Sequence, residues 1–337
     1  MNAQPQLINK VDRSPAEKLW KMAASDMASV DQLILERMQS PVGLIPDLAK
    51  HLISAGGKRL RPLLTVATSQ MCGYKGDKHH KLAAAVEFIH SATLLHDDVV
   101  DDSTLRRGKK PANLVWGNSP SILVGDFLFA RAFNLMVETN SLEALNILAN
   151  ASSVIAEGEV RQLAALGNMQ MDEVSYMQVI SAKTAALFAA STEVSAVITF
   201  QSEEKRKALH DYGLKIGLAF QLVDDALDYS GFESKLGKSV GDDFREGKMT
   251  LPVIRAIEFS KHENHSFWHR VIVERKQNNE DFKKAVLLIQ SSKSIESTME
   301  LARQYSLEAK ELLNVFDPSP WRTTLEELAS YIVDRAS

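Results

Sequence analysis

Apolar residues recur along most of this chain at steps of three and four, the spacing that lines one face of an α-helix. Between Ala16 and Arg37, Leu19, Met22, Met27, Val30, Leu33 and Leu35 keep that step, until Pro41 and Gly43 break it. Leu60 to Cys72 is apolar with Pro62 in its first turn, where proline suits a helix. Gly73 to Asp77 reads as a loop. Lys81 to about Asp102 is a long helix with Leu82, Val86, Ile89, Thr93 and Leu94 on one broad face. Arg106 to Ser119 reads as a loop or broken segment. Ser121 to Val137, Leu142 to Leu166, Met171 to Phe200 and Glu203 to Tyr229 are helical, and the glycine-rich stretch from Ser230 to Gly247 is a loop. Leu251 to Ser260, Trp268 to Lys276, Phe282 to Gln290 and Ile295 to Val315 follow as helices. Pro318-Ser319-Pro320 ends that run, and Thr323-Thr324-Leu325-Glu326 reads as a capping box opening a last helix to about Arg335. Alternating strand patterns are nearly absent. The pattern predicts one all-α domain over residues 1–337, with 1–13 as a flexible polar segment.

Composition agrees. Sixteen glycines and ten prolines in 337 residues fall well below the roughly 12% of average usage, which disfavours loop-rich β architectures. The single cysteine, Cys72, excludes an intrachain disulfide framework and a four-cysteine zinc site. No signal or transit pattern opens the chain and no apolar run reads as a membrane span, so the expected compartment is the cytoplasm. A net charge of −4 argues against a surface that coats nucleic acid.

That sum conceals a pattern. Asp97-Asp98-Val99-Val100-Asp101 and Asp224-Asp225-Ala226-Leu227-Asp228 each end a long helix. Residues four apart stack one turn apart on one face, and like charges there destabilise a helix, more so near its C-terminus. One such block reads as a solvated acidic end. Two, both flanked by apolar residues, read as walls that hold a hard divalent cation, for which Asp97, Asp98, Asp101, Asp224, Asp225 and Asp228 are the candidate ligands. Basic groups answer them: Gly56-Gly57-Lys58-Arg59-Leu60-Arg61-Pro62, Arg106-Arg107-Gly108-Lys109-Lys110, and Lys238 and Lys248. Arginine suits bidentate phosphate binding and lysine acts as a point charge. His90, seven residues before Asp97, shares its face, whereas His96 reads as structural. Carboxylate walls and a basic floor suit two phosphorylated substrates, one bridged by metal and one held directly.

These motifs, with Lys183-Thr184, Phe220-Gln221 and Gly247-Lys248-Met249-Thr250-Leu251-Pro252, resemble the trans-type polyprenyl diphosphate synthases, and more narrowly the bacterial octaprenyl to decaprenyl enzymes that supply quinone side chains. The resemblance implies an isoprenoid synthase-like bundle of helices around a deep central cavity, usually a homodimer. It implies Mg²⁺, about three ions per active site with substrate bound, held by Asp97 and Asp101 with help from Asp98, and by Asp224 with Asp225 or Asp228. Lys58, Arg61, His90 and Arg107 would hold isopentenyl diphosphate. Arg106, Lys183, Lys238 and Lys248 would grip the allylic diphosphate, and Thr184 and Gln221 would aim oxygens at the developing cation. Small residues at Ala92, Thr93 and Ala85 leave room for a long product, with Phe133 or Met136 as the floor. The apolar product is compatible with peripheral membrane contact, although no amphipathic anchor stands out. Competing readings are a terpene cyclase or head-to-head synthase, which needs no isopentenyl diphosphate site; a non-catalytic subunit, which tends to lose aspartates; and a farnesyl or geranylgeranyl diphosphate synthase, against which Ala92 and Thr93 weigh.

Overall fold

The computed structural model describes residues 14–54, 59–106, 108–230, 241–260, 263–278 and 280–334. Lys58, Arg107, Lys238 and Arg335, and the segment 1–13, lie outside the described residues. The described chain is all-α: α1 (Pro15–Met22), α2 (Ala24–Arg37), α3 (Leu44–Ser54), α4 (Leu60–Met71), α5 (Lys78–Val100), α6 (Ala112–Trp116), α7 (Asn118–Val137), α8 (Leu142–Ala165), α9 (Glu173–Ile180), α10 (Ala186–Ile198), α11 (Glu203–Asp228), α12 (Asp242–Arg245), α13 (Leu251–Ser260), α14 (His265–Trp268), α15 (Asp281–Ser291), α16 (Ser294–Leu312) and α17 (Pro320–Asp334). Wider π-helical turns occupy Ser181–Ala185 and His269–Val273, and a 3₁₀ turn Leu313–Val315. Among the described residues the only extended pairing is an isolated bridge between Arg106 and Lys109.

Local chemistry sets many of the boundaries. Ser14 and Glu17 form a reciprocal capping box that starts α1. Ser141, Asp172 and Ser202 each accept a backbone N–H from the first turn of α8, α9 and α11. The last helix opens three residues before the expected Thr323, because Pro320 takes the first turn and Ser319 Oγ accepts the Arg322 N–H at 3.1 Å. The Thr324 hydroxyl instead donates back to Pro320 O. Other expectations are also corrected. Ala16–Arg37 divides at Ala23 into α1 and α2, the break at Pro41 and Gly43 is followed at once by α3, α6 and the start of α7 fill half of the expected loop or broken segment at 106–119, and α12 forms inside the expected loop at 230–247.

Helix α5 is the hub. Leu82, Ala83, Ala84, Ala85, Val86, Phe88, Ile89, Ala92 and Leu95 are all buried, covering nearly its whole circumference, as suits a helix enclosed by others. It packs on α2, α4, α7 and α10, while α11 packs on α10 and α16. Each large side chain buried in this way contributes about 1.5–3 kcal/mol. A polar seam fixes α4 against α10: the Thr65 hydroxyl donates to Ser191 O at 2.8 Å, Thr68 and Ser195 share a hydrogen bond at 2.8 Å, and Ser69 donates to Ser195 Oγ at 2.9 Å. Because every buried hydroxyl there has a partner, the seam specifies the register of the two helices.

Helix α7 is two-faced. Val124, Leu128, Ala132, Leu135 and Met136 are buried, whereas Ile122, Leu123, Phe133 and Val137 are exposed. By length and composition it is the one described helix long and apolar enough to cross a membrane. Its inner face lies on α5.

Candidate active site

The first aspartate block splits by helical phase. Asp97 and Asp101 turn together toward two lysines. Lys183 Nζ stands 3.9 Å from Asp97 Oδ2, and Lys248 Nζ donates to Asp101 Oδ2 at 3.3 Å. Asp98 turns the other way and is buried. It accepts Arg106 Nε at 2.6 Å on Oδ1, while Oδ2 is buried without a partner. One expected ligand is thus an anchor for the arginine loop, and Asn113 donates to its main-chain carbonyl at 2.9 Å from the other end of that loop.

The second block splits likewise. Asp224 is half-buried, whereas Asp225 is buried and accepts hydrogen bonds from Tyr176 Oη at 2.5 Å and Gln221 Nε2 at 2.7 Å. Gln221 Oε1 accepts the Thr184 hydroxyl at 2.8 Å. The Gln221 oxygen is therefore already engaged, and both of its polar ends are spent on orienting neighbours. Asp228 accepts the backbone N–H groups of Gly241, Asp242 and Asp243 at 3.0–3.2 Å, so it holds the start of α12.

The π-turn at Ser181–Ala185 ties the two blocks together. Its consecutive residues Lys183 and Thr184 reach opposite walls: Lys183 joins Glu159 at 2.7 Å and Asp97, and Thr184 joins Gln221 and through it Asp225. A π-turn inserts an extra residue and re-aims the side chains around it, a frequent device at functional sites. Two glycines permit its close approach. A Cβ on Gly158 of α8 would stand 2.8 Å from Ala182 Cβ, and one on Gly217 of α11 would stand 2.6 Å from Ala185 Cα.

Arg61 and His90 form a second, smaller group. The Arg61 guanidinium lies 4.2 Å over the Phe188 ring and 3.4 Å from His90 Nε2, so the aromatic face positions the cation without neutralising it. Glu159, Tyr176, Asp243 and Glu246 also take part in the site, although the aspartate spacing did not single them out.

Electrostatics reveal an excess of negative charge. Burial raises Asp97 to about 7 against the pull of Lys183. Burial, then Asp243, raises Asp225 to about 8 and Asp228 to about 7. Lys248 shows the opposite outcome: burial works against its charge, but Asp243, Asp101 and Glu246 together win and push its proton affinity up. Where several carboxylates are gathered out of water with too few cations, the deficit is a demand for positive charge. All-oxygen donors set one turn apart fit a hard divalent ion.

The polyprenyl synthetase family profile matches residues 43–289. The chain belongs to the polyprenyl synthetase family. It is a prenyltransferase. It is 42% identical over 319 residues to the octaprenyl diphosphate synthase of Escherichia coli (strain K12), covering 95% of this chain and 98% of that one. Among solved structures it resembles a polyprenyl synthase from Caulobacter crescentus CB15 complexed with calcium and isoprenyl diphosphate, with 55% identity, TM-score 0.92, and 96% and 98% of the two chains covered. It also resembles a decaprenyl diphosphate synthase from Rhodobacter capsulatus, with 49% identity, TM-score 0.92, and 96% and 100% covered. Enzymes of this polyprenyl synthetase family are in general Mg²⁺-dependent, in keeping with the carboxylate excess.

The product-length residues differ in burial. Ala92 is fully buried and Thr93 half-buried, with its hydroxyl turned back onto His90 O. Met136 is buried on the inner face of α7. Phe133 is 40% exposed on the outer face, so within one chain it closes no interior tunnel, and the expectation that it forms the floor is corrected.

Proposed function

We propose that this chain condenses isopentenyl diphosphate repeatedly onto an allylic prenyl diphosphate, releasing all-trans octaprenyl to decaprenyl diphosphate for quinone side chains. The observation that carries this is the π-turn whose Lys183 and Thr184 reach both aspartate walls at once. Asp97, Asp101 and Asp224 would hold Mg²⁺, with three ions in the substrate-bound site. Bound there, Mg²⁺ would supply the positive charge that lets the allylic diphosphate depart. Lys183, Lys248, Lys238 and Arg106 meet the same diphosphate, while Arg61 and His90, with Lys58 and Arg107, hold isopentenyl diphosphate. The Thr184 hydroxyl oxygen keeps lone pairs while it donates to Gln221, and these lie available to a developing allylic cation. Asp225, Asp228, Tyr176 and Gln221 act behind this layer, orienting what touches substrate.

The α1–α17 contact, with Lys18 paired to Glu327 at 2.8 Å, supports one domain rather than two. The exposed apolar face of α7 supports a homodimer. A cytoplasmic enzyme touching membrane only through its product fits the same picture. Incubating the purified chain with isopentenyl and farnesyl diphosphates plus Mg²⁺, then sizing the dephosphorylated products, tests the activity. Products of eight to ten isoprene units (about 40–50 carbons) are expected, and farnesyl-length product alone refutes the long-chain assignment.

A further inference from the structure

At the opposite end of α5 from Asp97, about eighteen residues and so about 27 Å along the axis, three side chains converge that the prenyl-transfer chemistry does not use. His80 Nε2 lies 2.9 Å from Asp26 Oδ1, and His79 Nε2 lies 3.3 Å from the same oxygen. The imidazole rings are 4.0 Å apart, although adjacent residues on a helix normally diverge. A hydrogen bond to the carboxylate accounts for His80. It does not account for His79, which is 1% exposed and makes no hydrogen bond through either ring nitrogen. Burial, and then the neighbouring His80, push the His79 imidazole below its ordinary value.

We propose that Asp26, His79 and His80 form a binding site for one divalent transition-metal ion, Zn²⁺ by the chemistry of its donors, that ties α2 to the start of α5. Ligand atoms about 2.0–2.1 Å from a tetrahedral Zn²⁺ stand about 3.3 Å from one another. The two observed nitrogen–oxygen separations, 3.3 and 2.9 Å, are close to that edge. Two imidazoles and one carboxylate suit a borderline cation and not Mg²⁺, which prefers oxygen alone. The outer layer is also in place: Gln70 Nε2 donates to Asp26 Oδ2 at 2.9 Å, occupying one carboxylate oxygen and leaving Oδ1 to face the histidines. The Tyr74 ring packs edge-on against His79 at 5.2 Å and closes the side toward the α4–α5 turn. A metal here would be structural, and the inference stands independently of the prenyl-transfer reading.

The test uses the untagged full chain, freed of metal by chelation and held in saturating Mg²⁺ so that hard oxygen sites are filled. Titration with Co²⁺ is expected to give one equivalent bound, with visible absorption bands of imidazole coordination that Zn²⁺ abolishes. In Asp26→Asn, which keeps the side-chain shape, and in the partly exposed His80→Ala, the Co²⁺ Kd should rise at least ten-fold, with Mg²⁺-dependent turnover unchanged. Zn²⁺ should raise the Tm of the wild type and not that of either variant, because only a ligand of the folded state stabilises it. No Co²⁺ bound by the wild type, or the same Kd and spectrum in both variants, overturns the proposal.

Discussion

Asp97 is held in a site where burial outweighs its lysine, so that without a divalent ion it gains a proton near neutrality, at about 7. Two expectations follow at this scale. Asp97→Ala removes a carboxylate proposed to face Mg²⁺ and should lower kcat by at least about 10²–10³-fold, the loss typical when one charge-stabilising group is removed. Near-normal turnover at saturating Mg²⁺ would refute its role. The second concerns pH. Asp97, Asp225 and Asp228 have folded-state values raised well above the unfolded carboxylate, so the folded protein binds their protons more tightly than the unfolded chain. Their contribution to stability is present at low pH and is lost as pH rises from about 4 through about 7–8. The Tm of the metal-free protein should therefore fall between pH 6 and pH 8, less steeply in Asp97→Asn, and saturating Mg²⁺ should flatten the fall by engaging the ionised carboxylates. Calorimetry at several pH values with and without Mg²⁺ checks this, and a metal-free Tm that rises over that interval contradicts it. The division of labour within each block was only half legible. Spacing four apart marks Asp97 with Asp101 and Asp224 with Asp228 as sharing a face, but not that Asp228 is spent on the backbone of 241–243 or that Asp225 is locked by Tyr176. Those partners come from other elements, and local spacing carries no information about them.

At the scale of elements, the stretch from Met171 to Phe200 reads as one helix because its apolar period survives the π-turn. One extra residue shifts the phase by about 100°, less than the width of the apolar stripe in so thoroughly buried a segment. The signal lay instead in the partners, where Gly158 and Gly217 leave room for backbone. Gly158→Ala sets a methyl 2.8 Å from Ala182 Cβ and 3.0 Å from Lys183 N. Overpacking of this kind costs about 1–3 kcal/mol, and here it pushes on the turn that aims Lys183. Denaturant titration should show that loss, and kinetics should show reduced kcat. Wild-type stability together with wild-type kcat would show that the turn yields freely. Helix ends were legible where a side chain caps its own helix, as at Ser141 and Ser202, and misread where two cap signals compete within six residues. At 318–326, proline and Ser319 win over Thr323 because Pro320 is already in the helical first turn.

Across the whole molecule, the net charge of −4 is the residue of a strongly divided distribution, with acid gathered at the ends of α5 and α11 and Lys183 and Lys248 set against it. The same geometry bears on product length. On the proposed reading, a tail anchored at Asp97 and Asp101 would run back along α5, where Ala92 and Ala85 are fully buried and small, toward Met136 on the inner face of α7. Ala92→Phe should shorten the product while leaving the first condensations intact, and an unchanged product ladder from radiolabelled isopentenyl diphosphate would sink the argument. The outer face of α7 carries the remaining prediction. Leu123, Phe133 and Val137 leave apolar surface in water on a helix whose other side is fully packed, and such patches commonly mark interfaces. If two chains bury this face against each other, α7 is clamped between a partner and α5, and the floor beneath the tail is stiffened from outside. Phe133→Asp should then give a monomer in analytical ultracentrifugation, because a carboxylate buried at a self-complementary interface meets its own copy. It should also broaden the product distribution as the floor loosens. A variant that stays dimeric with an unchanged product ladder would place the interface elsewhere on the surface.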